Sequence, residues 1–171
     1  MKNILVTGSA GFIGKNLIQA LNRLEGVKIY PYDIGDDSNF LKEALNKADI
    51  IFHLAGINRP EKEEEYEKGN VGFTRDLVSI IEANKLNPLI IFSSSIQAAL
   101  DNPYGRSKLK AEQELDNWAK RSGGSAVIFR LPNVFGKWCR PNYNSAVATF
   151  CYNIARNLDI QMTDPERIME L

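Results

Sequence analysis

The chain has 171 residues, with 21 Lys plus Arg balanced by 21 Asp plus Glu and 44% apolar residues, which is one ordinary domain's worth of core. A formal net charge of +0 and a pI near 6.6 exclude the broad attraction that draws proteins to nucleic acid or anionic membranes, and no window reaches the length of a membrane span. Two cysteines, Cys139 and Cys151, and a single histidine, His53, make neither a disulfide framework nor a metal knuckle, so reduced thiols and no structural metal are expected.

Met1-Lys2-Asn3 runs directly into Ile4-Leu5-Val6 without a signal-type apolar stretch, and a cytoplasmic location is expected. Ile4 to Thr7 has the nearly continuous apolar pattern of a strand covered on both faces. It ends in Thr7-Gly8-Ser9-Ala10-Gly11-Phe12-Ile13-Gly14, after which Phe12, Ile13, Leu17, Ala20, Leu21 and Leu24 repeat at three and four, as in a helix. Glycines so spaced between strand and helix let the backbone turn sharply, approach a pyrophosphate and pack the helix on the strand. Gly8, Gly11 and Gly14 are therefore cofactor-binding candidates. The next strand, Val27 to Tyr32, leads to Asp33, 19 residues beyond Gly14. A carboxylate there accepts both hydroxyls of an adenosine ribose and favours NAD. A 2′-phosphate about 4 Å away would add repulsion on the order of 4 kcal/mol per charge pair at an effective dielectric near 20. The other reading of Asp33 is a cap on the following turn, shared with Asp36 and Asp37.

A strand from Ile50 to Leu54 contains His53, read as a core or strand-end residue. The charge run Glu61 to Lys68, after Pro60, reads as the solvated face of a short helix without a function. Leu77, Ile80, Ile81 and Asn84 repeat as a helix, and the strand Leu89 to Ser93 ends in Ser93-Ser94-Ser95. At the carboxyl edge of an open sheet, a hydroxyl can hold a substrate carbonyl oxygen; the alternative is a plain turn. Tyr104-Gly105-Arg106-Ser107-Lys108 then opens a helix that continues through Ala111, Leu115, Trp118 and Ala119. Tyr104 and Lys108 fall on one face, a single turn apart. A phenol with an ordinary pKa of about 10 is a poor acid or base at neutral pH, but an adjacent ammonium stabilises phenolate, so a lowered value is expected. Tyr104 then serves as proton shuttle for hydride transfer at a carbonyl or carbinol, with a nicotinamide cofactor.

Ser122-Gly123-Gly124-Ser125 is a turn into a last strand, Ala126 to Leu131. Strand and helix alternate throughout, which gives an α/β fold with a doubly wound, Rossmann-like parallel sheet over residues 1–136. After Gly136 comes a loop rich in Trp, Cys, Arg, Asn and Tyr, then a helix to about Arg156 and a short segment ending at Leu171. Trp138, Arg140, Asn142 and Tyr143 combine a stacking surface, a cation and amide donors, as a uracil and a diphosphate require; a hinge or dimer contact is the rival reading. Cys139 and Cys151 read as small apolar packing groups.

Several of these stretches share one resemblance. Thr7-Gly8-x-x-Gly11-Phe12-Ile13-Gly14, His53-Leu54-Ala55-Gly56, Asn70-Val71, Ser93-Ser94-Ser95, Asn102-Pro103-Tyr104-Gly105-x-Ser107-Lys108 and Arg130-Leu131-Pro132-Asn133-Val134-Phe135-Gly136 resemble the extended short-chain dehydrogenase/reductase family. Within it they are similar to the NAD-dependent epimerase/dehydratase group acting on nucleotide sugars. Ser93 to Ala98, leading through Asp101 to Tyr104, and Phe135 to Ser145 resemble more narrowly the capsular-polysaccharide reductases of UDP-linked 2-acetamido-2,6-dideoxy-4-keto sugars. The resemblance covers nearly the whole chain. It implies Tyr104 as proton donor, Lys108 as its electrostatic partner and ribose ligand, and Ser95 as hydrogen-bond donor to the substrate oxygen, with Ser94 as substitute. It further implies cofactor contacts from Gly8, Gly11, Phe12, Ile13, Gly14, Leu54, Ala55, Gly56, Asn70 and Pro132, and Asn133 on the sugar side.

The expected activity is NAD(P)H-dependent reduction of a 4-keto nucleotide sugar. Alternatives are a 4-epimerase or dehydratase, disfavoured because Ile96-Gln97 after Ser95 offers no acidic pair, and a cofactor-binding module without turnover. NAD(H) and NADP(H) both stay open: Asp33 favours NAD, whereas the capsular reductases are expected to prefer NADPH. Residues 137–171 would start a nucleotide-sugar subdomain that continues, in such proteins, into a cupin-like domain. The chain would then be a fragment or a shortened relative. A UDP-sugar is the expected ligand, and a homodimer through helices near residues 70–85 and 104–121 the expected assembly.

Overall fold

The structure is a computed structural model and describes residues 1–162 and Glu166. Strands β1 (Lys2–Thr7), β2 (Val27–Tyr32), β3 (Ile50–His53), β4 (Leu89–Ser95) and β5 (Ser125–Leu131) form one sheet in the order β2-β1-β3-β4-β5. The expected strands are all present, within two residues at either end. β1 runs parallel to β2 and β3, and β3 parallel to β4, with Thr7 opposite His53 at the carboxyl ends. The chain leaves β1 for β2 on one side and returns on the other through β3. That reversal splays the connections apart between β1 and β3 and opens a crevice at their carboxyl ends.

Helices α1 (Phe12–Leu21), α2 (Ser38–Lys47), α4 (Phe73–Ala83) and α5 (Pro103–Ser122) cover the sheet, while α3 is a single turn, Glu64–Tyr66. β-strand alternation sends Ile4 and Val6 toward α1, where they meet Leu21, and sends Leu5 to the opposite face, into a larger core with Leu45, Leu77, Ile81, Ile90, Phe92, Leu115 and Trp118. Each such buried side chain contributes about 1.5–3 kcal/mol by leaving water. On β5, Ala126 and Ile128 pack on the larger core, so Val127 and Phe129 point from the other face, where they are exposed.

The Asp33–Asp36 turn is present, with the Asp36 N–H on the Asp33 carbonyl at 3.2 Å; the sequence reading named no helix after it, and there Asp37 caps α2 by accepting from the Asn39 N–H, while Leu41, Ala44 and Leu45 bury its inner face. The charge run is, as read, largely exposed around the short helix α3, which passes into a π-helical stretch, Glu67–Gly72, that buries Asn70 and Val71 before α4 begins. Such wide turns often mark functional positions.

The outer face of α4 and α5 is crossed by ion pairs, Arg75 with Glu114 and Arg121 with Glu82. None of the exposed large apolar side chains among the described residues lies on either helix. The chain divides into two compact units, residues 1–130 and 131–171. The division falls where β5 ends and the chain leaves the sheet, six residues before Gly136. In the second unit, helix α6 (Ala146–Ile154) starts at Ser145, whose side chain accepts from the Ala148 N–H. The short last segment expected to reach Leu171 lies, from residue 163 on and Glu166 apart, outside the described residues. No helix among the described residues is long and apolar enough to cross a membrane, and both cysteines are free.

Candidate active site

β1 ends at Thr7, and the chain turns through Gly8 with φ of 70°. A Cβ on Gly8 would stand 2.7 Å from the Ala55 amide nitrogen, so glycine alone lets this turn lie against the Leu54-Ala55-Gly56 segment leaving β3. The Gly11 N–H closes the turn on the Gly8 carbonyl at 3.1 Å. Gly11 is the extended N-cap of α1 and brings no side-chain cap, and Gly14 is buried within the helix. The first-turn amides of Phe12 and Ile13, which a helix leaves without intrahelical partners, therefore stand at the crevice, and the positive helix end suits a pyrophosphate.

Asp33 follows β2 at the opposite lip. Its Oδ2 accepts from the Ala10 N–H at 2.6 Å and its Oδ1 from the Ile34 N–H at 2.8 Å, while Asp36 accepts from the Asp33 N–H at 2.7 Å. The capping reading is met in part, and the same carboxylate is tied to the glycine turn. A bare-backbone turn, an uncapped helix start and a fixed carboxylate are the donor and acceptor set that a dinucleotide requires.

Two chain segments meet at the carboxyl end of β4. Ser95 Oγ accepts from the Gln97 N–H at 3.2 Å, at the start of the 3₁₀ turn Ile96–Ala99, and its side chain lies beside the Tyr104 phenol, whose ionisation it eases. Asn102 caps α5 by accepting from the Gly105 N–H at 2.8 Å, and Pro103 takes the first helical position. Gly105 brings the segments together. A Cβ there would fall 2.1 Å from the Gln97 carbonyl oxygen, so the first turn of α5 lies directly on the turn after Ser95.

Lys108, one turn further along α5, is 4% exposed, and its Nζ lies 4.2 Å from the centre of the Phe92 ring. It is also 3.6 Å from where a Cβ on Gly56 would stand. Burial pulls its pKa down to about 8, opposed by the Glu112 carboxylate. The Tyr104 phenol is pushed up, not down: burial raises it, the Ser95 hydrogen bond lowers it, and the Tyr66 phenol raises it. The expected acidification by Lys108 is therefore corrected. The ammonium faces the β3 side of the crevice over Phe92, and desolvation of the phenol dominates.

Two further expectations are corrected by hydrogen bonding. Ser94 alternates to the inner side of β4, is 4% exposed, and donates its hydroxyl to Glu112, so it does not offer that hydroxyl to a substrate. Asn70 is 2% exposed; its Oδ1 accepts from the Ile57 N–H at 2.7 Å, and its Nδ2 donates to the Ile57 carbonyl at 2.9 Å and to Ser107 Oγ at 2.8 Å. Both amide hydrogens are engaged, so Asn70 braces the crevice wall from behind instead of donating to a cofactor.

Glu112 and Tyr66 were missed in the sequence. Arg130 grips Glu112 with two hydrogen bonds, at 3.0 and 2.6 Å. Burial pushes the Glu112 carboxyl up, but the Arg130 and Ser94 hydrogen bonds and the charges of Arg130 and Lys108 hold it below its ordinary value. Tyr104, Lys108 and Glu112 are spaced four apart on one helix stripe, which was the available signal. Tyr66 packs its ring 5.8 Å from that of Tyr104 and donates to the Asn58 carbonyl. Glu63 with Arg106 and Glu67 with Lys110 tie its segment to α5 beside a cleft of about 340 Å³.

Residues 4–167 match the model of the NAD-dependent epimerase/dehydratase family. The chain is a member of that family. It is 47% identical over 161 residues to the UDP-2-acetamido-2,6-beta-L-arabino-hexul-4-ose reductase of Pseudomonas aeruginosa, covering 94% of this chain and 43% of that one. The capsular polysaccharide assembling protein CapF from Staphylococcus aureus superposes with a TM-score of 0.83 at 49% identity, over 95% of this chain and 44% of that one. UDP-glucuronic acid 4-epimerase from Bacillus cereus, in complex with NAD, shares the fold at a TM-score of 0.81 and 23% identity, over 95% and 66% of the two chains. The chain spans about half the length of the curated relatives it matches.

In this family member, the residues read as sugar-side candidates lie in the second unit. Pro132 is half-buried and Asn133 exposed. Trp138 carries Lys137 Nζ 4.5 Å from its ring centre, and the Arg140 guanidinium lies 5.2 Å from that of Tyr143. Trp138 has a φ of 67°, a left-handed conformation uncommon for a bulky side chain.

Proposed function

We propose that the chain carries the cofactor-binding and catalytic part of an NAD(P)H-dependent reductase of a 4-keto nucleotide sugar. The observation that carries this reading is the first turn of α5, with Tyr104, lying directly on the turn after Ser95, where a Cβ on Gly105 would fall 2.1 Å from the Gln97 carbonyl oxygen, next to a glycine crevice suited to a dinucleotide. Gly8, Gly11, Phe12, Ile13, Leu54, Ala55 and Gly56 would line the cofactor, with Asp33 at its ribose. When bound, the reduced dinucleotide supplies a hydride. Ser95 and Tyr104 together donate to the substrate carbonyl oxygen, and Tyr104 delivers its proton there as negative charge develops. Lys108 provides positive charge on the crevice side of the phenol.

Ile96 and Gln97, the two residues after Ser95, carry no ionisable group for an elimination. The reductase named among the relatives, at 47% identity, supports reduction and a UDP-linked substrate. Trp138, Arg140 and Tyr143 are candidates for the nucleotide, and Asn133 for the sugar.

For the cofactor we infer NADH. Asp33 is held in place by the Ala10 and Ile34 amides and repels a 2′-phosphate; the resemblance to capsular reductases argues for NADPH. Titration with both dinucleotides checks this, and Asp33→Asn should narrow the gap between them. The reaction itself is tested by stoichiometry with a 4-keto UDP-sugar. One reduced cofactor consumed per product is expected; turnover without net oxidation would identify an epimerase instead.

A further inference from the structure

His53 sits at the carboxyl end of β3, is 1% exposed, and takes no part in the proposed chemistry. Its two ring nitrogens are nevertheless both engaged: Nδ1 lies 2.9 Å from Thr7 Oγ1 and Nε2 lies 2.9 Å from Thr74 Oγ1. Thr74 has one hydroxyl hydrogen, and it goes to the Asn70 carbonyl at 2.7 Å. The Thr74 oxygen must then accept, so Nε2 carries the histidine hydrogen. Nδ1 is left with a lone pair, so Thr7 donates to it, and the Thr7 oxygen accepts from the Ala55 N–H at 3.3 Å. Every donor in the row has one acceptor, and all point the same way.

Both ends of this row are attached to the candidate site. Thr7 precedes Gly8, and Ala55 is the residue against which Gly8 packs. At the far end, Asn70 holds Ile57 and Ser107 through its amide, and Ser107 Oγ donates to the Tyr104 carbonyl at 2.8 Å. Phe73 and Phe92 pack on the imidazole at ring distances of 5.4 and 5.2 Å, and Lys108 lies over the same Phe92 ring.

We propose that His53 is a positioning residue. Fixed as the Nε2–H tautomer, it links the Ala55 amide to the Asn70 carbonyl through Thr7 and Thr74, and so sets the glycine turn relative to the helix bearing Tyr104. Protonation would put a hydrogen on Nδ1 facing the Thr7 hydroxyl and break the order of the row. Burial, with the nearby Lys108 charge, opposes that protonation and pulls the imidazole down to about 3.

The assignment rests on the functional reading above only where turnover is measured. His53 is the sole histidine of the chain, so its ring nitrogens can be read by NMR in isotope-labelled protein without assignment. The expected spectrum is the neutral Nε2–H form, unchanged between about pH 5 and pH 9; an Nδ1–H form, or a midpoint near 6.5, overturns the proposal. The positioning role is tested by Thr74→Val and Thr74→Ser. If Thr74 only fills space, Val, which keeps both branches, is the better replacement; if its hydroxyl matters, Ser is. Thr74→Val should weaken NADH binding and lower kcat, each about tenfold, with KM for the sugar unchanged, while Thr74→Ser stays within about twofold of the parent. The reverse order overturns the proposal. Should Thr74→Val not fold, Thr7→Val against Thr7→Ser makes the same comparison at the other end of the row. A parent chain that shows the expected tautomer and NADH ranking but does not reduce the sugar defeats the functional reading and leaves the positioning role standing.

Discussion

In residues 1–130 several polar groups beside the candidate site are buried and held in place. Lys108 is 4% exposed, Glu112 5% and His53 1%, each held by neighbours from other elements. In residues 131–162 the only buried residue is Ser145, α6 buries none, and the notable contacts are cations lying over aromatic rings. A segment with so little buried apolar surface gains little to offset the entropy of ordering. The contrast lies in how the two units are held: buried polar groups fixed by their neighbours in the first, cations resting on exposed rings in the second.

The largest effect that would sharpen this contrast is expected at Tyr104. Tyr104→Phe should lower kcat about a thousandfold while NADH affinity, by titration, stays near that of the parent. Retained turnover would remove the first unit's claim to the chemistry. Next comes Arg130→Met, which leaves the Glu112 carboxylate without its main partner. Arg130 is 45% exposed, so solvent screens the pair and the loss at neutral pH, read by chemical denaturation, should be moderate. Glu112 is held below its ordinary value, so its contribution is present above the ordinary carboxylate pKa and lost as pH falls through the folded one. The gap between parent and variant should close below about pH 4.

Lys108→Met should move stability the other way. Its folded pKa of about 8 lies below the ordinary 10.5, so the buried ammonium costs stability at neutral pH, a cost that fades as pH rises from 8 to 10.5. The variant should be more stable at pH 7 by on the order of 2 kcal/mol and inactive, with the gain gone above about pH 10.5. A less stable variant would show that the ammonium is better solvated than its burial suggests. The smallest effect belongs to the second unit. Trp138→Ala should leave the free energy of unfolding within about 0.5 kcal/mol of the parent while weakening UDP-sugar affinity. A large loss of stability there would erase the difference between the two units.

The parts that could be read from the sequence were those with short-range signals. Each strand contains a short, largely apolar run, the glycine turn spans eight residues, and Tyr104 and Lys108 lie one turn apart. The parts that could not be read depend on distant segments meeting. Arg130 reaches Glu112 across 18 positions only because the sheet sets β5 beside α5. Tyr66 meets Tyr104 because ion pairs fasten one segment to another. The sign of the phenol shift escaped because depth of burial, the largest cause of the shift, is a property of the assembled fold. α2 was missed although Asp37 and the apolar residues Leu41, Ala44 and Leu45 were all in view, because the acidic cluster before it reads as a turn.

The outermost strand on one side carries a proline. Tyr32 turns its carbonyl inward to the Ser9 N–H at 3.2 Å, so strand alternation directs the backbone of Pro31 outward, and it is exposed. A foreign strand approaching that margin meets a missing donor near the carboxyl end of β2 and cannot extend the ladder past it. The molecule thus carries a built-in guard against sticking to its own copies, placed where the sheet is otherwise open to growth.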